Sequence, residues 1–294
     1  MKKVLLTGGT GLIGKYTIEP LLKAGFKVFV VSSKNRKKLN GVEIIQADLL
    51  NFDDIKKVFE KVKPHYILHF AWDTTPGSYL ESDLNFKWLN SSLEMLKQFK
   101  IHGGKRAIYA GTCFEYKFKN QPLAETDKLN PQTTYAKCKN ELREKAQIFC
   151  IENKINFCWG RIFYVYGECE QEKRLIPTVI KTLAHNKVFS TKSADLIRDY
   201  MFAQDVARAF VILLDSNVTG CVNICTAIPI SIKEIICTIA RKMNKEHLIK
   251  IENEASNDAP IILGDNSRLK NELHFEAEFS LESSLDIILK KNLY

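Results

Sequence analysis

The chain reads as an α/β protein, a doubly wound parallel sheet of the Rossmann type with a smaller C-terminal substrate-binding lobe. Three observations predict this. A glycine-rich stretch, Thr7-Gly8-Gly9-Thr10-Gly11-Leu12-Ile13-Gly14, lies between an apolar run (Val4-Leu5-Leu6) and a helical pattern over 16–22 that Gly25 can stop. Short apolar runs then alternate with helical patterns through the first 165 residues. After Gly167 that alternation loosens.

A strand, a glycine turn and a helix in that order form a dinucleotide pyrophosphate site. Gly8 permits the tight turn, Gly11 lets backbone N–H groups approach the phosphates, and Gly14 lets helix and strand pack closely. The helix N-terminus then presents a partial positive charge to the anion. Further along, runs at 28–31, 44–47, 66–71, 107–110 and 157–163 read as buried parallel strands. Helical patterns at 55–62, 84–99 and 135–152 lie between them. Such alternation makes right-handed crossovers, which put the carboxyl ends of the strands on one ligand-binding edge. Residues 175–183 and 202–214 look helical, and 222–224 reads as a strand. Ser231 caps a helix over 231–243, with Glu234 three residues on, and 281–289 forms a last helix. Residues 1–166 are thus expected to form the dinucleotide-binding core, and 167–294 a substrate-binding lobe whose chain partly returns to that core.

Composition narrows the function. With 294 residues and 45% hydrophobic content, the chain can bury a sizeable core. No apolar run approaches the roughly 18–20 residues that span a bilayer. The opening Met1-Lys2-Lys3-Val4-Leu5-Leu6 imitates a signal peptide, but the glycines interrupt it, so a first strand is expected instead. Eight cysteines without a CxxC pair suggest reduced thiols in a cytoplasmic protein. Six histidines (65, 69, 102, 185, 247 and 274) show no convergent metal spacing, so no metal is expected. The net charge of +9 suits either a lysine-rich surface or a polyanionic ligand such as a nucleotide. Basic residues are spread evenly, with no stripe of interleaved aromatics, which argues against nucleic-acid binding.

A second constellation carries the chemistry. In Tyr135-Ala136-Lys137-Cys138-Lys139, the phenol and the last ammonium are four residues apart and share a helix face. Pro131 suits a turn into that helix. A free phenol has a pKa of about 10, and a nearby ammonium favours the phenolate. Gly111-Thr112-Cys113 follows the strand at 107–110, on the ligand edge. A hydroxyl there can bind the same substrate oxygen that Tyr135 protonates.

With these residues in order, the chain resembles the extended short-chain dehydrogenase/reductase superfamily, in its nucleotide-sugar epimerase/dehydratase/reductase branch. The resemblance runs through Thr7 to Gly14, Asp48-Leu49, His69-Phe70-Ala71, Gly111-Thr112, Tyr135 to Lys139 and Tyr164-Val165-Tyr166-Gly167. It continues through Arg198-Asp199-Tyr200, Asp205-Val206-Ala207 and Val222-Asn223-Ile224, covering nearly the whole chain. It implies Tyr135 as acid/base, Lys139 as the residue that holds the nicotinamide ribose and tunes the phenol, and Thr112 as the reacting hydroxyl. Gly8, Thr10, Gly11, Leu12, Ile13 and Gly14 would cradle the cofactor. Asp48 and Leu49 would flank the adenine, and Phe70, Ala71 and Trp72 would line the groove. Arg198 matches an arginine that grips the sugar-nucleotide diphosphate, a task suited to a bidentate guanidinium. Arg174 either approaches the diphosphate or is a solvated loop charge. Trp72 either shapes the sugar pocket or closes the core. A homodimer through the helices at 84–99 and 135–152 is also implied.

Departures from the family carry information too. NAD-preferring members end the second strand with an aspartate. Here Ser32 stands near that place, followed by Ser33, Lys34, Asn35 and Arg36. A missing carboxylate beside cations suits a 2′-phosphate, so NADP(H) is preferred over NAD(H). Dehydratases carry an aspartate–glutamate pair after the reacting threonine. Cys113 and Phe114 stand there, on the expected substrate side, and Glu115 is one step further on. Dehydration at C4 and C6 is therefore disfavoured. Tyr164 replaces an asparagine that touches the diphosphate, and that contact is not carried over.

The expected activity is reduction of a 4-keto group on a nucleotide-linked sugar, supplying a deoxysugar nucleotide for a surface polysaccharide. Tyr135 would donate the proton and Thr112 steady the alkoxide. Alternatives are a 4-epimerase with bound NAD, an NAD-dependent sugar-nucleotide dehydrogenase, and a non-catalytic redox sensor on the same fold.

Overall fold

The computed structural model describes residues 2–34, 40–252 and 258–293. Strand β1 (Lys2–Thr7) enters the glycine turn and helix α1 (Gly14–Lys23) leaves it. Next come β2 (Phe26–Ser32), β3 (Val42–Gln46), α2 (Phe52–Val62), β4 (Tyr66–His69), α3 (Leu84–Ile101), β5 (Arg106–Thr112), α4 (Thr134–Glu152) and β6 (Asn156–Ile162). The second part holds β7 (Tyr164–Tyr166), α5 (Leu175–Ala184), β8 (Phe189–Thr191), β9 (Ile197–Phe202), α6 (Ala203–Leu214), β10 (Gly220–Ile224), β11 (Pro229–Ser231) and α7 (Ile232–Lys242). It ends with β12 (Ile249–Ile251), β13 (Ile261–Ile262), α8 (Ser267–Leu273) and α9 (Leu281–Leu293).

The main sheet has the order β3-β2-β1-β4-β5-β6-β10, parallel at every pairing. Chain direction across the sheet reverses between β1 and β4, and ligands of doubly wound sheets bind at such a switch point. Side chains alternate across the pleat. Leu5, Phe29, Ile67, Tyr109 and Trp159 therefore pack with Val58, Phe59, Leu96, Phe99 and Leu142 of α2, α3 and α4. Val4, Leu6, Val28, Val30 and Ile108 pack the other way, with Leu21 of α1 and Ala209, Phe210 and Leu213 of α6. Both faces are covered, which is why these strands read as continuous apolar runs.

Local chemistry sets the ends of the helices. Asn51 caps α2 by accepting from the N–H groups of Asp53 and Asp54. Thr133 caps α4 through Ala136 N–H, and Ser231 caps α7 through Glu234 N–H. Gly25, with φ of +78°, takes the chain out of α1.

Two strand expectations end early. The run at 66–71 leaves the sheet at His69, because Ala71 N–H turns to the Thr7 hydroxyl instead of a neighbouring strand. The run at 157–163 stops at Ile162, after which β7 pairs with β9. That pairing belongs to a second sheet, with β9 also joined to β11 and β13. A third apolar cluster, including Tyr166, Ile180, Phe202, Ile236, Ile239 and Leu285, lies beside it. Residues after 167 are shared between this lobe and the main sheet, since β10 and α6 return to the latter. No helix among the described residues is long and apolar enough to cross a membrane.

Candidate active site

The glycine turn sits at the switch point. Gly8 has φ of +69°, and a Cβ there would lie 2.8 Å from Ala71 N. At Gly14 a Cβ would lie 2.2 Å from Gly8 O and 2.7 Å from Gly9 Cα, so the first turn of α1 rests directly on the loop. Gly11 N–H closes the turn on Gly8 O at 2.9 Å. The first turn of α1 carries no acidic side chain, which leaves its N-terminus favourable to an anion. This bare backbone cradle fits the diphosphate of a dinucleotide. Gly14→Ala is expected to cost about 1–3 kcal/mol of stability by forcing backbone apart and to abolish dinucleotide binding. Gly11→Ala, whose Cβ meets just Gly8 O at 3.2 Å, should fold with near wild-type stability. Thermal melts and dinucleotide titrations of both variants check this.

A buried histidine ties the turn to β4. Thr7 pairs with His69 across the β1–β4 register. Thr7 Oγ1 lies 2.6 Å from His69 Nδ1, and His69 Nε2 lies 2.9 Å from Ser92 Oγ. Ser92 donates its own hydroxyl hydrogen to Trp88 O, so it accepts from His69 Nε2–H. Nδ1 then accepts from Thr7, and the ring is neutral. Burial, followed by the Lys139 charge, holds His69 well below the ordinary histidine range. The unfolded chain takes a proton there below about pH 6.5, while the native state does not. Stability should therefore fall as pH drops below that point, by up to about 1 kcal/mol per pH unit from this group. Urea titrations between pH 7.5 and 5.5 test this, because a His69→Gln variant should lose that part of the slope.

Thr112, Tyr135 and Lys139 converge at the carboxyl ends of β4, β5 and β6. Thr112 ends β5, and its hydroxyl oxygen accepts from Phe114 N–H at 3.3 Å. Tyr135, in the first turn of α4, is 7% exposed and Lys139, one turn on, is 3% exposed. Burial drives the Tyr135 phenol well above its usual range, and the Thr112 hydroxyl pulls weakly the other way by hydrogen bonding. Lys139 Nζ donates to Ala110 O at 2.9 Å and lies 3.8 Å from the centre of the Trp72 ring. Burial pushes this amine down to about 7, against the opposing charge of Glu115. Burial thus favours the protonated phenol and the neutral amine.

The other expected residues fall at varied distances from this centre. Trp72 unites its two readings: it covers Lys139, stands edge-on to Tyr135, stacks near Trp88 and donates Nε1–H to Asn85 Oδ1 at 2.7 Å. Phe70 turns its ring edge-on to Phe210, into the core below. Phe114 packs with Phe118 and Tyr164. Cys113, expected on the substrate side, is instead buried among Tyr116, Leu123, Phe163 and Cys225. The short helical turn over 113–115 swings it inward. Ser32 closes a tight turn with Lys34 at the end of β2, Ser33 and Lys34 are exposed, and Arg36 lies outside the described residues. Asp48 is exposed just beyond the end of β3, while Leu49 is buried and its carbonyl accepts from the Ser91 hydroxyl. Arg174 crosses from the second lobe to donate to Thr74 O at 2.9 Å, with its guanidinium over Tyr79. Arg198 is buried beside Tyr164 and gives Nη1 to the carbonyls of Ile197 and Ala259, each at 2.8 Å.

Tyr79 escaped the sequence reading, and Glu115 was named there only as standing one step beyond the place of the dehydratase pair. Tyr79 lies edge-on to Tyr135 with ring centres 5.1 Å apart. Nothing in the polar segment before α3 signals that. Glu115 is fully buried and accepts from Thr112 N–H at 2.9 Å. Its signal was present, because Thr112-x-x-Glu115 is a capping-box spacing.

These features define a dinucleotide-binding α/β enzyme with a tyrosine–lysine pair. Residues 4–225 match the model of the NAD dependent epimerase/dehydratase family, and the chain belongs to that family. It is an NAD(P)-dependent enzyme of the extended short-chain dehydrogenase/reductase type. Among similar proteins is the dTDP-6-deoxy-L-talose 4-dehydrogenase (NAD(+)) of Aggregatibacter actinomycetemcomitans. It is 25% identical over 261 residues, covering 85% of this chain and 92% of that protein. The CDP-abequose synthase of Salmonella muenchen is 24% identical over 300 residues, covering 98% and 97%. Among solved structures, the Thermus thermophilus UDP-glucose 4-epimerase in complex with NAD shares the fold. It has a TM-score of 0.87 and 19% identity, with 98% of each chain covered.

Proposed function

We propose that the protein is an NADPH-dependent reductase of a nucleotide-linked 4-keto (deoxy)sugar, supplying a deoxysugar nucleotide for surface polysaccharide. The observation that carries this reading is the Tyr135 phenol set beside the Thr112 hydroxyl and one helical turn from Lys139. A protonated phenol is what reduction of a ketone requires of its acid. Bound at the glycine turn, the cofactor supplies hydride chemistry at carbon. Tyr135 gives its proton to the substrate oxygen, and Thr112 steadies that oxygen by a hydrogen bond. Lys139 in its charged form draws the phenol back toward the phenolate, ready for the reverse transfer. Glu115, the nearest carboxyl in sequence to Thr112, is turned into the core and paired with Arg161 at 2.7 Å. It therefore does not stand in for the acid of a dehydratase. The serine-rich end of β2, without a carboxylate, supports NADP(H).

A 4-epimerase with retained NAD is the second reading, favoured by relatives that include a bifunctional UDP-glucose and UDP-xylose 4-epimerase of Pisum sativum. The deciding experiment supplies a panel of 4-keto sugar nucleotides with NADPH or NADH and follows absorbance loss. Consumption of NADPH supports the reductase. Interconversion of C4 epimers without added cofactor, by protein purified with NAD bound, overturns it. Binding of cofactor with no turnover of any sugar nucleotide returns the sensor reading.

A homodimer is part of this proposal. Phe86 of α3 and Ile148 and Ile151 of α4 are exposed apolar side chains on the helix pair that the family resemblance nominates. A groove of about 360 Å³ on the same two helices and the start of α2 is lined by Phe52, Leu93 and Phe149. Sedimentation of wild type against Ile148→Lys tests it, with a shift from dimer to monomer expected.

A further inference from the structure

A buried carboxylate sits three residues from Thr112, where the reaction asks for no acid. Glu115 Oε1 accepts two hydrogen bonds, from Thr112 N–H at 2.9 Å and from Trp159 Nε1–H at 2.8 Å. Oε2 accepts from Arg161 Nε at 2.7 Å, and Arg143 Nε stands 4.0 Å from it. Arg161 is itself buried, and its Nη1 donates to the Tyr116 hydroxyl at 2.9 Å. Gly111 makes the room: a Cβ there would lie 2.0 Å from Trp159 Nε1 and 2.7 Å from Glu115 Oε1.

The two donors on Oε1 are neutral, so an amide oxygen could serve both. A charge is not needed to hold the turn. A buried ion pair is also weak evidence for stability, since an apolar pair of the same size does as well. The charge matters for what it faces. Around Lys139 lie the Ala110 carbonyl, the rings of Trp72, Trp159 and Tyr135, and the neutral His69. Trp159 links the two groups, since its indole N–H meets Glu115 Oε1 at 2.8 Å and its ring centre lies 5.9 Å from Lys139 Nζ, and at that separation the Glu115 charge works against the effect of burial on the amine. One side chain therefore meets the Thr112 backbone on one oxygen and supplies a counter-charge to the lysine.

We propose that Glu115 is a positioning residue: it fixes the Thr112 hydroxyl through the Thr112 amide and provides the buried negative charge that Lys139 faces. This rests on the roles given above to Thr112, Tyr135 and Lys139. A neutral side chain at 115 leaves the ammonium without its counter-charge, so Lys139 loses its proton at lower pH. The groups that share the balance are Arg161 and Arg143 on Glu115, with Tyr135 and His69 beside the lysine.

The test uses the full-length protein and NADPH binding, read by fluorescence from pH 6 to pH 9, together with kcat and KM. In Glu115→Gln, the pH above which affinity declines should move down by about one unit, a tenfold change in the proton affinity of Lys139. Binding at pH 6 should weaken by about twofold, the loss of charged Lys139 that a one-unit shift brings there, and kcat should fall more than KM rises. Because the Glu115→Gln change leaves Arg161 unpaired, the Glu115→Gln/Arg161→Met double variant is measured alongside and should show the same shift. An unmoved pH profile in the folded variants overturns the proposal. A requirement for Glu115 for folding in both backgrounds also overturns it, by assigning the residue to stability. Tyr135→Phe separates the premises: if that variant turns over normally, the reading of the site fails; if it is inactive while the Glu115→Gln profile stays put, this inference alone fails.

Discussion

Tyr135→Phe is expected to lower kcat by about 10²–10⁴-fold, the usual contribution of a positioned acid or base, with KM and dinucleotide affinity close to wild type. The reason is geometric. The ring is held on two sides by aromatic neighbours, Trp72 with centres 6.2 Å away and Tyr79 at 5.1 Å. A phenylalanine keeps both contacts and loses the hydroxyl that meets Thr112. The fold should survive the change at a cost of about 1–3 kcal/mol, because removing one partner of a buried hydrogen bond leaves the other, here the Thr112 hydroxyl, without it. The Thr112 hydroxyl oxygen still accepts from Phe114 N–H. The measurement is single-turnover absorbance change with the best substrate from the panel. Wild-type rates in the folded variant would remove Tyr135 from the chemistry.

The alternation of apolar runs made the main sheet legible, because its central strands are buried on both faces and helices cover them. The glycine turn was legible because backbone crowding at Gly8 and Gly14 leaves no room for a side chain, and that requirement is written as residue type. The second sheet was not legible. β7, β11 and β13 are two or three residues long, too short for periodicity to show, and β9 gains its partners from segments far apart in sequence. The site divides in the same way. Tyr135 and Lys139 announce themselves by helical spacing, and Thr112 by its place after a strand. What covers them does not. Trp72 and Tyr79 reach Tyr135 because the segment between β4 and α3 folds back, tied by Leu80 O to Tyr135 N–H at 2.9 Å. Asn85 holds the same segment through Tyr79 O and the Trp72 indole. Those are tertiary bonds of a loop, and no local pattern encodes them. Cys113 shows the cost of reading neighbours in sequence as neighbours in space: one turn of tight helix moves it from the cleft to the core.

Lys139→Met should make the protein more stable and far less active. Burial sets the sign. In the native state the amine titrates near 7, whereas the unfolded chain holds its proton to about 10.5. Between those pH values the unfolded state binds more protons, so wild-type stability rises with pH across that window. Below 7 both states are protonated and the full burial penalty is present. Methionine fills the same space without charge and removes the penalty. Two losses offset the gain. Ala110 O gives up its donor, at about 1 kcal/mol, and Trp72 gives up an ammonium 3.8 Å from its ring, a contact worth roughly 0.5–2 kcal/mol. A net stabilisation of about 1–3 kcal/mol below pH 7 is expected, fading as the pH approaches 10. Urea melts of both proteins at pH 6.5 and 9.5 measure it. A variant less stable than wild type at pH 6.5 would mean that the indole and the carbonyl more than compensate the buried charge. The expected pattern instead marks a group kept at a cost to the fold, and costly buried charges concentrate where chemistry needs them. Dinucleotide affinity supplies the other half of the test: wild type should bind more tightly at pH 6 than at pH 8, and Lys139→Met should bind weakly and equally at both.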